Sequence, residues 1–236
     1  MTRRRWIADE FTADRAALTG AHAAHLARTL RARVGQEFEV ACGDGVRRAV
    51  VASVSDDRVE FTLGEVIASP VAVPVTLLLA VFKFDRMEWA IEKATELNVT
   101  AIVPVLARRA EKHLAQAAGK RAERWRRIAR EASEQSRRVS PPEIADPMKL
   151  AEAVKVEAEL RIVLAEAERE VALGEVLRAQ GDAASIALAI GPEGGWADEE
   201  LQSFAAAGWI AASLGETILR AETAAIAALA VTRACG

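Results

Sequence analysis

The chain changes its hydrophobic rhythm once, between Ala68-Ser69-Pro70 and Pro74, and that change restricts the fold more than any other feature. Before it come short apolar-alternating runs. Arg4 to Ala8, Glu37 to Cys42, Arg47 to Val54 and Val59 to Val66 read as strands, with turns at Gly43-Asp44-Gly45 and Asp56-Asp57. Ala21 to Arg33, with Leu26, Leu30 and Val34 at helical spacing, reads as a helix. Together these predict a small barrel. After the break, strands alternate with helices. Val75 to Phe82, Ala101 to Val105, Leu160 to Leu164, Ser185 to Ile190 and Trp209 to Leu214 read as strands. Asp85 to Leu97, with Asp85 as its cap, Lys120 to Arg138, Asp198 to Ala207 and Glu222 to Cys235 read as helices. Alternating β and α predicts an α/β layer fold with a mostly parallel sheet. The division is therefore a domain at 1–70 and a second at 71–236.

Composition excludes several classes. The two cysteines, Cys42 and Cys235, have no metal-like spacing, so neither a disulfide scaffold nor a zinc ribbon is supported. The longest apolar run, Val71 to Phe82, contains Pro74 and is too short to span a bilayer. Arg3, Arg4 and Arg5 could open a signal peptide, but Asp9 and Glu10 follow where an apolar stretch is needed. A soluble, cytoplasmic protein is expected. The net charge of -3 hides segregation. Arg108 to Arg138 holds 11 Lys/Arg against 4 Asp/Glu, and Leu150 onward 6 against 14. Met1 to Gly35 holds 7 against 3. A localised contact with a polyanion and a plain solvated helix face both fit this pattern.

Two strings carry chemistry. Ile190-Gly191-Pro192-Glu193-Gly194-Gly195 directly follows an apolar strand. Its glycines allow a ligand close to the backbone, at the carboxyl end of a strand where open α/β sheets bind ligands. Glu193 and the lack of a following Gly-Lys-Ser/Thr argue against a phosphate loop and for a neutral or cationic ligand, although a plain strand-to-helix turn also fits. Leu214-Gly215-Glu216-Thr217-Ile218-Leu219-Arg220-Ala221-Glu222-Thr223-Ala224 again runs from a strand into a helix. Glu222 falls in the first helical turn, where a carboxylate suits the helix dipole; Arg220 could meet an anion or pair with Glu222. His22 and His25 sit one helical turn apart without a third ligand, so no metal site is expected. Trp6, Trp89, Trp125, Trp196 and Trp209 are assigned to packing.

Taken together, the two strings resemble the IGPEGG and LGxRILRxETA signatures of the RsmE family, which methylates N3 of a uridine in small-subunit (16S) ribosomal RNA. Lys83 to Val99 is similar to the family's KGDRMDxxIxKATELGV stretch, and Glu134-Gln135-Ser136 through Pro142-Glu143-Ile144 to its EQSxRxxxPEI stretch. Arg3-Arg4-Arg5-Trp6, His22-Ala23-Ala24-His25-Leu26 and Leu30-Arg31 resemble its N-terminal elements. Phe84, Asn98 and Thr217 depart from the pattern, standing where the family has Gly, Gly and Arg.

The resemblance implies a SPOUT-class C-terminal domain with a trefoil knot, a PUA-like N-terminal β-barrel that binds RNA, and a homodimer. It implies S-adenosyl-L-methionine as cofactor, and 16S rRNA or the small ribosomal subunit as partner. The cofactor would lie against Leu164-Ala165-Glu166, Gly191-Pro192-Glu193-Gly194-Gly195, and the loop carrying Leu214, Gly215, Ile218, Leu219, Arg220, Thr223 and Ala224. Arg220 and Glu222 are the candidates to assist loss of the uridine proton, Glu222 being equally a helix cap. Arg3, Arg4, Arg5, Arg28 and Arg31, with Arg137 and Arg138, would contact RNA. Two alternatives are a SPOUT enzyme acting on another RNA base and a catalytically inactive RNA-binding relative. A nucleotide-binding enzyme ranks last.

Overall fold

The computed structural model describes residues 5–43, 45–68, 72–181 and 183–235. The chain divides into two compact units, Met1–Val71 with Ser133–Pro141, and Ala72–Ala132 with Pro142–Gly236.

The first unit is a six-stranded sheet of β1 (Trp6–Ile7), β2 (Glu10–Phe11), β3 (Arg15–Thr19), β4 (Glu37–Cys42), β5 (Gly45–Val54) and β6 (Arg58–Ile67) in the order β1-β4-β5-β6-β3-β2. All its pairs are antiparallel except β1 with β4. The two edge strands are separated only by Ala8 and Asp9. Ala8 N–H donates to Ala41 of β4 and Asp9 N–H to Ala17 of β3, both at 2.9 Å, so the sheet curls until its two ends meet. Inside pack Trp6, Leu18, Leu26, Val40, Val51, Val59 and Phe61. Strand β2 escapes because Glu10-Phe11 is too short to display a period, and β3 because Ala16-Ala17-Leu18 are buried in succession and give no alternation. The expected helix is shorter than Ala21 to Arg33: α1 (Gly20–Ala24) continues as a wider π-type turn at His25–Thr29 and stops. Arg31 then takes a left-handed φ of +53° that no helix propagates. Ser133–Pro141 belongs to this unit through concrete contacts. Arg5 N–H donates to the Glu134 carbonyl at 3.3 Å, and Val139 packs on Ile7, Ala41 and Val46.

The second unit is a wholly parallel sheet. Its strands are β7 (Val75–Ala80), β8 (Ala101–Leu106), β9 (Glu143–Ile144), β10 (Met148–Lys149), β11 (Leu160–Leu164), β12 (Ile186–Ile190) and β13 (Ile210–Ala212). The order is β10-β8-β7-β12-β11-β13, with β9 also on β8. Its helices are α2 (Phe84–Glu96), α3 (Lys112–Ala117), α4 (Ala122–Gln135), α5 (Leu150–Ala153), α6 (Leu173–Ala179), α7 (Asp198–Ala206) and α8 (Ala221–Cys235). Both faces are buried, and the sequence shows how. In Ile186-Ala187-Leu188-Ala189-Ile190 the large residues join the core shared with α2, α6 and α8, while the two alanines face the other side. There the small side chains leave room for Trp196, Phe204 and Trp209, stacked edge-on at 5.0 and 5.1 Å.

Helix α2 accounts for two departures from the family pattern. Phe84, its first residue, packs edge-on against the buried Trp125 at 6.1 Å and lies under the Arg121 guanidinium at 4.8 Å. Asn98 has a φ of +61° just past the helix. Its N–H bonds Thr95 and the Val99 N–H bonds Ala94, closing the helix in the left-handed cap that glycine usually fills and asparagine tolerates. Asp85 is not the cap expected from the sequence. Lys83 holds that position, and Asp85 lies inside the first turn, where it still complements the dipole. Trp89 is likewise not packed, being 46% exposed on the outer side of the helix.

Candidate active site

Because β12, β11 and β13 are parallel neighbours, the loops that follow them emerge at one edge of the sheet. They enclose a cavity of about 730 Å³. The loop after β11 contributes Leu164 to Arg169, that after β12 Gly191, Pro192, Gly195 and Trp196, and that after β13 Ser213 to Leu219. Ala221 and Ala224 of α8, and Arg109 beyond β8, complete the wall. Two hydrogen bonds tie the first and third loops together: Ser213 N–H to Val171 at 2.8 Å and Leu173 N–H to Ser213 at 2.9 Å.

The glycine string forms a tight turn in which Gly195 N–H donates to Pro192 at 2.8 Å. Gly195 has a φ of +66°, which an L side chain resists, and a Cβ there would lie 3.7 Å from Glu166 Oε2. At Gly191 the constraint is proximity, since a Cβ would come within 3.2 Å of the Trp196 backbone nitrogen. Glu193 and Gly194 are exposed and do not line the cavity. The negative charge that the sequence located at Glu193 is instead supplied by Glu166, Glu168, Asp198 and Glu216, against Arg109 and Arg169. The backbone N–H groups of Glu170 and Val171 hold the Glu168 carboxyl below the usual carboxylate range.

The structure therefore brings Leu164, Ala165, Glu166, Gly191, Pro192, Gly195, Leu214, Gly215, Ile218, Leu219 and Ala224 to one cavity. Glu193, Gly194, Arg220, Glu222 and Thr223 do not line it. Arg220 is exposed and directly precedes α8, its carbonyl accepting from Ala224 N–H at 2.8 Å. Glu222 is 7% exposed. Its nearest cation is not Arg220 but Arg86 of α2, 3.6 Å from Oε1, while Oε2 is buried without a hydrogen-bond partner. Arg86 and Arg109 were not singled out in the sequence, since sheet order brings each to this region, and Trp196, assigned to packing, also lines the cavity as the residue after Gly195.

In the first unit, Arg5 and Arg137 converge on one carboxylate, at 3.1 and 2.6 Å from Glu39 Oε2. Arg137 first, then Arg5, holds that carboxyl below its usual range. Arg28 is exposed and pairs with Asp56 at 2.8 Å. Arg31 is exposed with no ion pair among the described residues, and the Arg138 side chain bonds the Ser140 carbonyl at 3.1 Å. Arg3 and Arg4 lie outside the described residues. The basic stretch Lys120 to Arg138 is largely spent internally: Arg121 and Arg124 meet Glu88, and Arg126 meets Asp146 and Glu123. His22 lies 3.5 Å from Asp9 and 3.8 Å from Glu134, and among the described residues no His, Cys, Asp and Glu cluster could hold a metal ion. No described helix is long and apolar enough to cross a membrane.

Residues 69–233 match the family described as RNA methyltransferase domain. The chain is 36% identical over 90% of its length to a ribosomal RNA small subunit methyltransferase E from Synechocystis, covering 71% of that protein. It is 34% identical over 91% of its length to the protein of that name from Mycobacterium bovis, covering 84%. Among solved structures it is similar to the Neisseria gonorrhoeae protein of that name bound to S-adenosyl methionine. The TM-score there is 0.86 at 29% identity, covering 98% of this chain and 97% of that one. A putative methyltransferase from Legionella pneumophila in complex with bound SAM matches at TM-score 0.83 and 28% identity, covering 100% and 99%.

Proposed function

The chain belongs to the ribosomal RNA small subunit methyltransferase E family, and on that premise we propose that it transfers a methyl group from S-adenosylmethionine to N3 of a uridine in 16S rRNA. The observation that carries this reading is the three-loop cavity with more carboxylates than free cations on its wall. The residues fit the donor. A volume of about 730 Å³ accommodates a ligand of that size, and Gly195 keeps its place on the wall free of a side chain. Glu166, Glu168, Asp198 and Glu216 suit a molecule with a net positive charge, and they favour it over its neutral thioether product.

When bound, S-adenosylmethionine supplies an electrophilic methyl group on a sulfonium. The chain's own tasks are to hold two partners in line, exclude water and manage one proton. Uridine N3 is a weak nucleophile until its proton leaves. Glu222, buried with an open acceptor oxygen one residue from cavity-lining Ala221, is the candidate to take that proton. Arg220, exposed at the start of the same helix, is the candidate to stabilise the charge left on the base.

The same reading makes the second unit a SPOUT domain with a trefoil knot at its three loops. The first unit is a PUA-like RNA-binding barrel, and the whole works as a cytoplasmic homodimer on the small ribosomal subunit. The curled sheet and the exposed Arg28 and Arg31 support the RNA role. Removing the Arg31 charge should lower the salt slope of RNA binding by about one.

Calorimetric titration with S-adenosylmethionine and, separately, ATP tests the central claim. It is followed by methylation of 16S rRNA and of small subunits, with the modified base mapped by mass spectrometry. Donor binding without ATP binding, and methylated uridine, is the expected result. A folded protein that binds RNA but no donor would be an inactive relative instead.

A further inference from the structure

The glycine turn is held by residues about ninety positions earlier in the chain. After β8 the chain runs through Arg108 and Arg109. Arg109 Nη1 donates to the carbonyls of Gly194 at 3.0 Å and Trp196 at 3.1 Å. A Cβ on Gly194 would rest 3.4 Å from the Arg109 Cβ, so the two backbones lie against each other. The bond also runs the other way. Glu200, in the first turn of α7 and only 7% exposed, accepts the Arg108 N–H with Oε1 and the Ala197 N–H with Oε2, both at 2.8 Å. The Arg108 guanidinium adds a pair with Glu199.

These bonds engage the carbonyls and N–H groups on both sides of Gly195. That is the stretch where glycine leaves the backbone freest and where the cavity needs one defined shape. Both oxygens of Glu200 are satisfied by backbone N–H donors of two different segments, so the carboxylate joins them rather than serving either alone. Arg109 meanwhile reaches the cavity wall itself. We propose that Arg109 and Glu200 are positioning residues that hold the Gly191–Trp196 loop in the form that receives the methyl donor. This rests on the reading of the cavity as the donor site. It adds two residues that none of the sequence signatures contains.

The test uses Arg109→Ala, Arg109→Lys, Glu200→Ala and Glu200→Gln in the full chain. Amide hydrogen exchange without ligand reads the latch directly, and calorimetry and kinetics with S-adenosylmethionine read its consequence. The expected result is faster exchange confined to Gly194–Ala197, and a rise of about tenfold in Kd and KM for the donor on loss of charged hydrogen bonds. The change should fall on KM rather than kcat, with Arg109→Lys recovering part of the loss. If Arg109→Ala or Glu200→Ala fails to fold, Arg109→Lys and Glu200→Gln carry the same measurements. Unchanged exchange at Gly194–Ala197 would overturn the latch whatever the ligand is. Faster exchange with an unchanged donor Kd would overturn its role in binding. A parent chain that shows protected exchange but binds no donor would instead sink the donor-site reading.

Discussion

Two loops on the same cavity are built in opposite ways. The Gly191–Trp196 loop is a closed turn, fixed by Gly195 to Pro192 and by Arg109 and Glu200 from outside. The segment from Leu214 to Leu219 has no backbone hydrogen bond among the described residues. It is anchored only at Ser213 and at the start of α8, and Gly215 to Ile218 are exposed, Ile218 at 79%. The first loop meets a ligand already ordered. The second has no such bonds to hold it, so each residue that binding must fix there costs about 1–2 kcal/mol. A site built from one rigid and one open wall can recognise through the first and enclose through the second.

The largest effect should come where the open wall ends and α8 begins. Glu222→Gln keeps the shape and removes the proposed proton acceptor, so on that proposal methyl transfer should fall on the order of 10²–10⁴-fold. Donor binding measured by calorimetry should stay near the parent value, because Glu222 does not line the cavity. A fall of less than tenfold would detach the proton step from this end of the loop, leaving Glu222 as a cap paired with Arg86. Next in size is the rigid wall. Gly195→Ala puts a side chain at a φ of +66°, a conformation that costs about 1–2 kcal/mol and so weakens donor binding by roughly tenfold. An unchanged donor Kd in a folded Gly195→Ala protein would mean that this turn is not preformed for the ligand.

The same contrast explains what the sequence disclosed. The five longer strands of the second unit were legible because buried parallel strands such as Ile186–Ile190 leave unbroken apolar runs, and α2, α4, α7 and α8 were legible beside them, whereas the short β9, β10, α3, α5 and α6 were not. The glycine string was legible because its residue types are demanded locally, by a positive φ at Gly195 and a close backbone at Gly191. What holds that string was not. Arg109 and Glu200 are ordinary surface-type residues in sequence, and only the order β8-β7-β12 brings them to one place. Arg86 opposite Glu222 is hidden for the same reason. Charge left two readings open where pairing decides, and the basic stretch from Lys120 places Arg121, Arg124 and Arg126 on neighbouring carboxylates. Arg5 and Arg137, expected at RNA, both reach Glu39, a pairing the sequence does not display.

The least change is expected at Ile218. Ile218 lines the cavity yet is 79% exposed, so it gives up little apolar contact when replaced. Ile218→Ser should leave the melting temperature nearly untouched, its stability change staying within about 0.5 kcal/mol as for other exposed positions. If the second wall is open until something closes it, donor Kd should also move by less than about twofold, since an unfixed side chain contributes little to binding. Calorimetry on Ile218→Ser beside Gly195→Ala reads both walls in one experiment. A tenfold weakening at Ile218 would mean that the segment closes on the donor and buries this side chain. The two loops would then differ only before binding. Little change at Ile218 with a large change at Gly195 would confine donor recognition to the latched wall. The exposed isoleucine would then be free for whatever approaches the cavity from outside.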